Sequence, residues 1–528
     1  MKTFKESVCL LLVLAMSLTA TACRRMRSNE SSDLSDIYSR ITINDTESAD
    51  GSSDAATSSG GASSGNKKPQ TSTSGTQGGT SAPAASTTQD YPISAMDKLP
   101  NFSHKEFDIS GFWAPYEISE ESFKTYKGAG FTTLAMINHN GAQTSDNQFY
   151  LGSNRTQKSL ELCRKVGLKA ILSYNDWIAI SSSGNKNYYS STPFSQYDIY
   201  GDYKDIITGI HIVDEPKKSS MDLYSAGAFI NDFKSVYPNA DFVVNLTPKY
   251  AGATPYEFVT YDQLVDYYGE HIMSKFNKSY ISVDYYPFPQ KGKSGYPRRQ
   301  DMLLTYDIIA NAAKEYNAVK TFILQSSAGC EFNDELTETD MRFQVNMALA
   351  YGADKLQYYC YSVPGGEYNY NYCVLTRDNK PSKLYYYLKN IHKEIQSYAD
   401  VILSYDWVDS TAIAGNDFSI NYDINSIKMK DLTVFEASKN YASATATADL
   451  AITRFENKEY GEAFMLVNYS EDHSKTNSVN LKLKGCRRVA VYGKNGFGGT
   501  PQIVNLESNG SFKTDLTYGE GCFLIPLA

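Results

Sequence analysis

From about Phe107 the sequence alternates between short apolar runs of strand character and longer amphipathic stretches of helical character, and few folds accept such a pattern. The strand-like runs are GFWAPY, TTLAMINHN, LKAILSYND, ITGIHIVDEP, DFVVNLTP, SYISVDYYPF, VKTFILQSS and DKLQYYCYS. Between most of them lie helical stretches. Leu223, Ala226, Ile230, Phe233 and Tyr237 mark one apolar helix face. Thr337, with Asp340 three residues on, reads as a helix start, and Gly352 as its end. Gly130 and Gly167 also read as helix ends, each just before a strand. The later strands recur about every 35–40 residues, as βα units require.

Eight such strands, each followed by a helix, predict a closed (β/α)8 barrel, the TIM barrel, over residues 101–403. Its eighth helix reads KLYYYLKNIHKEIQSYADVIL. An open doubly wound sheet would show five or six strands and a glycine-rich phosphate loop, and the sequence offers neither. After about Leu403 the pattern changes. VNLKLK, GEAFMLVNYS, RRVAVYG and GEGCFLIPLA are short strands between turn residues, and Val479, Leu481 and Leu483 alternate with polar neighbours. Residues 404–528 are therefore expected to form an all-β, sandwich-like domain.

A chain of 528 residues exceeds one ordinary core, and what precedes the barrel accounts for part of the length. Residues 1–23, MKTFKESVCLLLVLAMSLTATAC, have the form of an export signal, with Lys2 and Lys5 ahead of the apolar run Val8–Leu18. That run is too short for a comfortable membrane span. Ala20, Thr21 and Ala22 lead into Cys23, which resembles the bacterial lipoprotein box. The resemblance implies lipidation of Cys23 and anchoring on the outer face of a bacterial membrane; the alternative is ordinary secretion with cleavage nearby. Residues 24–100 are polar, and Gly51–Gln89 is of low complexity in Ser, Thr, Gly and Ala, a tether with an r.m.s. reach on the order of 45 Å. The other six cysteines have no metal-ligand spacing; export permits disulfides, and Cys486 with Cys522 is one conceivable pair, buried free thiols being an equal alternative. A net charge of −9 offers no basic face for nucleic acid. No feature of the sequence sets an oligomeric state.

Alternation places side chains. In a closed barrel, successive residues of a strand face the helices and the lumen in turn. In the fourth strand Ile210 and Ile212 suit the helix layer, while Gly209, His211 and Glu215 share the lumen face. Asp214 has the opposite parity at the strand end. Asp284 and Tyr286 on the sixth strand, Gln325 on the seventh, Gln357 and Tyr361 on the eighth, and Asn245 on the fifth all have lumen parity. Trp113 and Trp177 fall at or just beyond the ends of the first and third strands. The carboxyl ends of the strands are where this fold builds its sites. Each feature also has a structural reading. Asp214-Glu215-Pro216 is a plausible helix entry, His211 a plausible core histidine, and Tyr286 a plausible rim-packing residue.

An acid followed by Glu-Pro at the end of strand four resembles the Asn-Glu-Pro signature of clan A glycoside hydrolases. DYYPF at strand six, ALAYGADKLQYYCYS leading into strand eight and a terminal β-domain ending GEGCFLIPLA extend the resemblance from Phe107 to the end. It implies that Glu215 is the general acid/base. Asp214 stands where the family has an asparagine that contacts the sugar 2-hydroxyl, and Gln325 stands where the family has its nucleophilic glutamate. The second carboxylate is then expected at Asp284, or at Glu331 in the loop after strand seven, with Asp284 preferred because strand ends hold geometry better than loops.

The resulting expectation is a surface-anchored glycoside hydrolase acting on an oligo- or polysaccharide. Trp113, Trp177, Tyr286 and Tyr361 would stack on sugar faces, and Asn245, Gln325 and Gln357 would bind hydroxyls. No cofactor and no metal are expected. The alternative is a glycan-binding protein on an impaired hydrolase barrel, motivated by Gln325. A lipid-anchored solute receptor would need two open lobes and a hinge, which the eight βα units do not match.

Overall fold

The computed structural model describes residues 94–113, 115–137, 149, 151–174, 193–288, 301–330, 332–333, 335–364, 370–413, 435, 437–494 and 499–528. The chain divides into two compact units, Met1–Ala84 and Ala85–Ala528, and every described residue belongs to the second. The signal, Cys23 and residues 24–93 of the expected tether therefore lie outside the described residues. Its last residues, 94–100, are described and are not a free tether: Ser94 N–H donates to the Gly485 carbonyl at 2.9 Å and Met96 bridges to Leu527.

Eight parallel strands close into a barrel: β1 (Asp108–Gly111), β2 (Thr133–Ala135), β3 (Lys169–Ser173), β4 (Ile207–Asp214), β5 (Asp241–Leu246), β6 (Ser279–Tyr285), β7 (Ala318–Gln325) and β8 (Lys355–Tyr359). Closure is made by β8, which pairs with both β7 and β1. The surrounding helices include α1 (Glu120–Gly128), α2 (Asn154–Val166), α3 (Lys218–Tyr224), α4 (Gly227–Val236), α5 (Tyr261–His271), α6 (Met302–Glu315), α7 (Glu338–Ala350) and α8 (Lys383–Ser397). Ser119, Thr260 and Thr337 start α1, α5 and α7 with reciprocal capping boxes, supplying partners for otherwise orphaned N–H groups. Gly167 ends α2 in the left-handed conformation (φ 76°), and Gly352 follows α7 at φ 69°.

Two connections differ from the simple βα repeat. Ahead of β4 the described helical segment is a 3-10 run, Phe194–Tyr203, kinked at Tyr200. After β4 the single expected helix is two, broken around Ser225 and Ala226. Ile230, Phe233 and Tyr237 are buried as the spacing predicts, but Leu223 is only half-buried because the break rotates α3 out of register with α4.

The strand faces separate two cores. Ile210, Ile212, Ile281, Val283, Phe322, Leu324, Leu356 and Tyr358 pack outward with the helices. Ala135, Ile171, Val243, Tyr280, Val319 and Ile323 pack inside the barrel. At its amino end, Lys355 sits between Asp108 (3.1 Å) and Asp241 (2.7 Å). Burial pushes Asp108 up, but Lys355 and the Thr133 hydroxyl outweigh it and hold this carboxyl below its ordinary range. Its share of the stability is thus present above the unfolded-state pKa and lost as pH falls through the lower folded value.

The C-terminal strands are β9 (Asp406–Ile413), β10 (Tyr441–Ala446), β11 (Leu450–Asn457), β12 (Gly461–Asn468), β13 (Asn477–Leu483), β14 (Arg488–Tyr492), β15 (Gln502–Asn505), β16 (Ser511–Leu516) and β17 (Gly521–Leu527). They form an antiparallel six-stranded sheet, ordered β9-β11-β12-β17-β14-β15, and a three-stranded sheet, β10-β13-β16. Leu450, Phe464, Leu481, Phe512 and Leu524 fill the space between them. Cys486 and Cys522 pack into the same core as separate thiols. The other face of the six-stranded sheet, including Ala451, Met465 and Ile525, joins the barrel's outer core. Phe343 of α7 stacks on Tyr518 (6.1 Å, 8° between planes), whose hydroxyl donates to Asp340 Oδ1 at 2.9 Å. Burial on both faces explains why every residue of β17 is buried, where a one-faced sheet would alternate.

Lys355→Met leaves Asp108 and Asp241 facing each other without a counter-charge. We expect it to lower the unfolding free energy by about 2–3 kcal/mol, the low end for a broken buried ion pair because all three groups keep some solvent contact. An unchanged denaturant midpoint would show that the triad contributes nothing.

Candidate active site

The site is built where β4, β5 and β6 end. Up to His211, the residues of β4 alternate as expected. His211 faces inward against Phe112 (6.0 Å), and burial lowers its pKa, keeping the ring neutral. The β4–β5 register then slips: His211 pairs with Val243, but Val213 pairs with Val244 and Asp214 with Asn245. This bulge adds one residue and reverses the parity beyond it. Asp214, which by simple alternation has the opposite parity, is thereby brought to the inward-facing Asn245 and hydrogen-bonded to it. Glu215 then leaves the strand in the left-handed region (φ 44°), with its N–H donating to the Asn245 carbonyl at 2.9 Å. For a residue with a Cβ this conformation costs about 1–2 kcal/mol. Such strain persists where surrounding contacts over-determine it, and it is characteristic of functional sites.

Asn245 joins the acids. Its Nδ2 donates to Asp214 Oδ1 and to Asp284 Oδ1, each at 3.0 Å. Its Oδ1 accepts from Ser282 Oγ at 3.2 Å, which fixes which end of the amide faces the carboxylates. Two acceptors each 3.0 Å from one nitrogen cannot be more than about 6 Å apart. Glu215 is half-buried and accepts a hydrogen bond on Oε2 from Tyr256 at 2.9 Å. Burial, then the adjacent Asp214 charge, raise its pKa to about 7, against the lowering effect of Tyr256. Asp284 is buried, and burial, Glu215 and Asp214, in that order, push its pKa well above the carboxylate range, while Asn245 opposes them. Burial and crowding thus keep Glu215 and Asp284 protonated to higher pH than ordinary carboxyl groups, a perturbation that marks candidate acid/base residues.

An aromatic wall adjoins the acids. Tyr359 ends β8, with its ring 5.0 Å from Trp113 and 5.3 Å from Tyr286. Trp113 follows β1 in the left-handed region (φ 57°) and is 2% exposed; Tyr286 is half-buried. Gln357 is buried with lumen parity, paired across the ladder with Ser110 and Ile323.

Two expected ligand contacts belong to the framework instead. Gln325 is fully buried: its Oε1 accepts from Phe288 N–H (3.1 Å), and its Nε2 donates to the carbonyls of Phe288 (3.2 Å) and Ser327 (3.3 Å). That amide clamps the end of β7 to the chain leaving β6 and has no donor left for a sugar hydroxyl. Tyr361 lies beyond the end of β8, where alternation no longer holds, and packs in the outer layer 4.7 Å from Tyr126 and 5.5 Å from Phe131. It does not reach the mouth. Trp177 and Glu331 lie outside the described residues. Tyr256, which follows β5 in a short 3-10 turn, escapes sequence reasoning because strand parity says nothing about a loop; its one signal is its position among the βα connections at the carboxyl end.

Compared with known proteins, the chain matches no family model. It also matches no curated protein. Several solved structures resemble it. One is a family 39 glycoside hydrolase from the gut symbiont Bacteroides cellulosilyticus WH2, 12% identical, with a TM-score of 0.42 over 80% of this chain and 81% of that one. Another is a GH30 endoxylanase from Clostridium papyrosolvens C71, 12% identical, with a TM-score of 0.38 over 83% and 99%. A third is the family 30 subfamily 8 xylanase Xyn30A from Clostridium acetobutylicum, 12% identical, with a TM-score of 0.35 over 83% and 100%. These are likenesses of architecture, and at such identities no activity passes from them to this chain.

The raised pKa of Glu215 has a stability consequence. Between its unfolded value near 4.5 and about 7, the folded state holds a proton that the unfolded state has lost, so stability falls as pH rises through this window. Glu215→Gln should therefore be about as stable as wild type at pH 4 and more stable above pH 7. Parallel denaturation curves at both pH values check this, and an equal difference at each would contradict the raised pKa. In Tyr256→Phe the Glu215 carboxylate loses a donor, so its titration should move further upward; a downward move would contradict the assigned hydrogen bond.

Proposed function

We propose that this protein is a glycoside hydrolase anchored at a cell surface through Cys23. The observation that carries the reading is the meeting of Asp214 and Asp284 on the Asn245 amide at the carboxyl end of the barrel, with the Glu215 carboxyl, held by Tyr256, close enough to both to interact with them electrostatically, beside an aromatic wall. Glu215, with a pKa of about 7, is suited to protonate the leaving glycosidic oxygen. Asp284, in the state in which it has given up its proton while Glu215 keeps its own, acts as the nucleophile or as the base that activates water. The charge that builds on the sugar ring in the transition state is positive, and the acid cluster is placed to stabilise it. Asp214, exposed at the mouth, accepts a hydrogen bond from a ring hydroxyl. Tyr286 and Tyr359 supply stacking faces, each contributing about 1 kcal/mol, while Trp113, expected to stack on a sugar, is buried and instead backs the Tyr359 ring.

A second reading has an observation of its own. The strand-seven position that would carry a nucleophile holds Gln325, whose amide is committed to the backbone. On this reading the barrel binds glycans without cleaving them. Product release from a panel of polysaccharides and aryl glycosides separates the two. The hydrolase reading expects turnover by the native chain, with a loss of about 100-fold or more in Glu215→Gln and in Asp284→Asn. Native-like rates in either variant would remove that residue from the chemistry. Glycan binding with no release of product by the native chain would establish the second reading. Cys23→Ser should move the protein from the membrane fraction to the soluble one, and unchanged membrane retention would contradict the anchor.

A further inference from the structure

Two sulfur atoms next to the aromatic wall play no part in the reading above. The chain leaves β8 through Cys360 and returns through Cys373, and the two Sγ atoms lie 3.2 Å apart. The structure holds them as two unbridged thiols, but at a separation shorter than ordinary sulfur–sulfur contact. The two backbones run side by side there, as a bridge requires: Val374 N–H donates to the Cys360 carbonyl (3.4 Å) and Leu375 N–H to the Tyr361 carbonyl (2.9 Å). Both cysteines are fully buried in the apolar cluster that contains Phe332, Val363 and Tyr370. Among the described residues no group of three His, Cys, Asp or Glu is placed to hold a metal ion.

We infer that Cys360 and Cys373 form a disulfide that staples the β8 end of the mouth. Each thiol gives up a proton and one electron. The electron pair passes to an external disulfide, oxidised glutathione or a disulfide-bonded oxidoreductase, which leaves as two thiols. Because both sulfurs are buried in the folded chain, exchange takes place before this segment packs. The bridge would join the strand end that presents Tyr359 to the segment that carries Tyr370, whose ring stacks on Phe332 at 5.7 Å. It closes a short loop, the kind of constraint that restricts the unfolded chain. The inference does not depend on the glycosidase reading.

The test is to refold the full chain in a mixture of reduced and oxidised glutathione, then alkylate it in denaturant before and after reduction and map its peptides by mass spectrometry. We expect one linked species joining the peptides of Cys360 and Cys373, 2 Da lighter than the two thiol peptides together, with Cys163 and Cys522 alkylated throughout. Added reductant should lower the melting midpoint of wild type by a few degrees. Cys360→Ser/Cys373→Ser should start at the lower midpoint and not respond. If the refolded protein, native by circular dichroism, carries alkyl groups on both Cys360 and Cys373 before reduction, the inference is overturned. Pairing of either cysteine with a different partner would overturn it equally.

Discussion

The candidate site depends on ladder closure: β8 hydrogen-bonds to β7 on one side and β1 on the other, so no strand of the barrel has a free edge. Closure fixes the height of every strand end relative to its neighbours. Asp214, Asn245 and Asp284 come from three successive strands, yet they meet through one amide because Asp214 pairs with Asn245 and Asn245 with Ser282 in the two intervening ladders. With those registers set, the Cα positions of the three residues are fixed relative to one another, and the Asn245 hydrogen bonds hold the two carboxylates together.

The electrostatic character of the mouth follows from the same placement. Three acids converge, and no Lys or Arg takes a described ion pair with any of them. Burial and the neighbouring charges therefore favour the protonated forms of Glu215 and Asp284, and the hydrogen bonds from Tyr256 and Asn245 only partly offset this. The opposite arrangement holds at the amino end, where Lys355 neutralises Asp108 and Asp241. At one end a cation neutralises the buried acids, while at the other, among the described residues, the acids lie together without one.

The barrel and the all-β tail were legible because hydrophobic periodicity is a property of whole segments. Parity also worked inside regular strands: Ser282 and Asp284 face in, while Ile281 and Val283 face out. It failed where regularity ends. The bulge before Asp214 inserts a residue that sequence alternation cannot reveal, and it brings inward a group to which simple alternation gives the opposite parity. Tyr361 lies two residues past the last strand pairing and turns to the outer layer. Gln325 has the expected direction but a different task, because nothing in its own strand announces that Phe288 will need two hydrogen bonds. Tyr256 belongs to a turn, and the break between α3 and α4 reflects a local choice of chain path that a continuous apolar stripe conceals.

What ties fold to chemistry is that the barrel crowds its acids until Glu215 keeps a proton near neutrality. Carbon-13 NMR of side-chain-labelled glutamate, with the Glu215 signal assigned by its loss in a Glu215→Gln spectrum, reads this directly. The account predicts a titration midpoint near 7 for that carboxyl. A midpoint close to the ordinary glutamate value of about 4.3 would mean that the carboxylates are solvated and apart, and the proposed acid would have no proton to give.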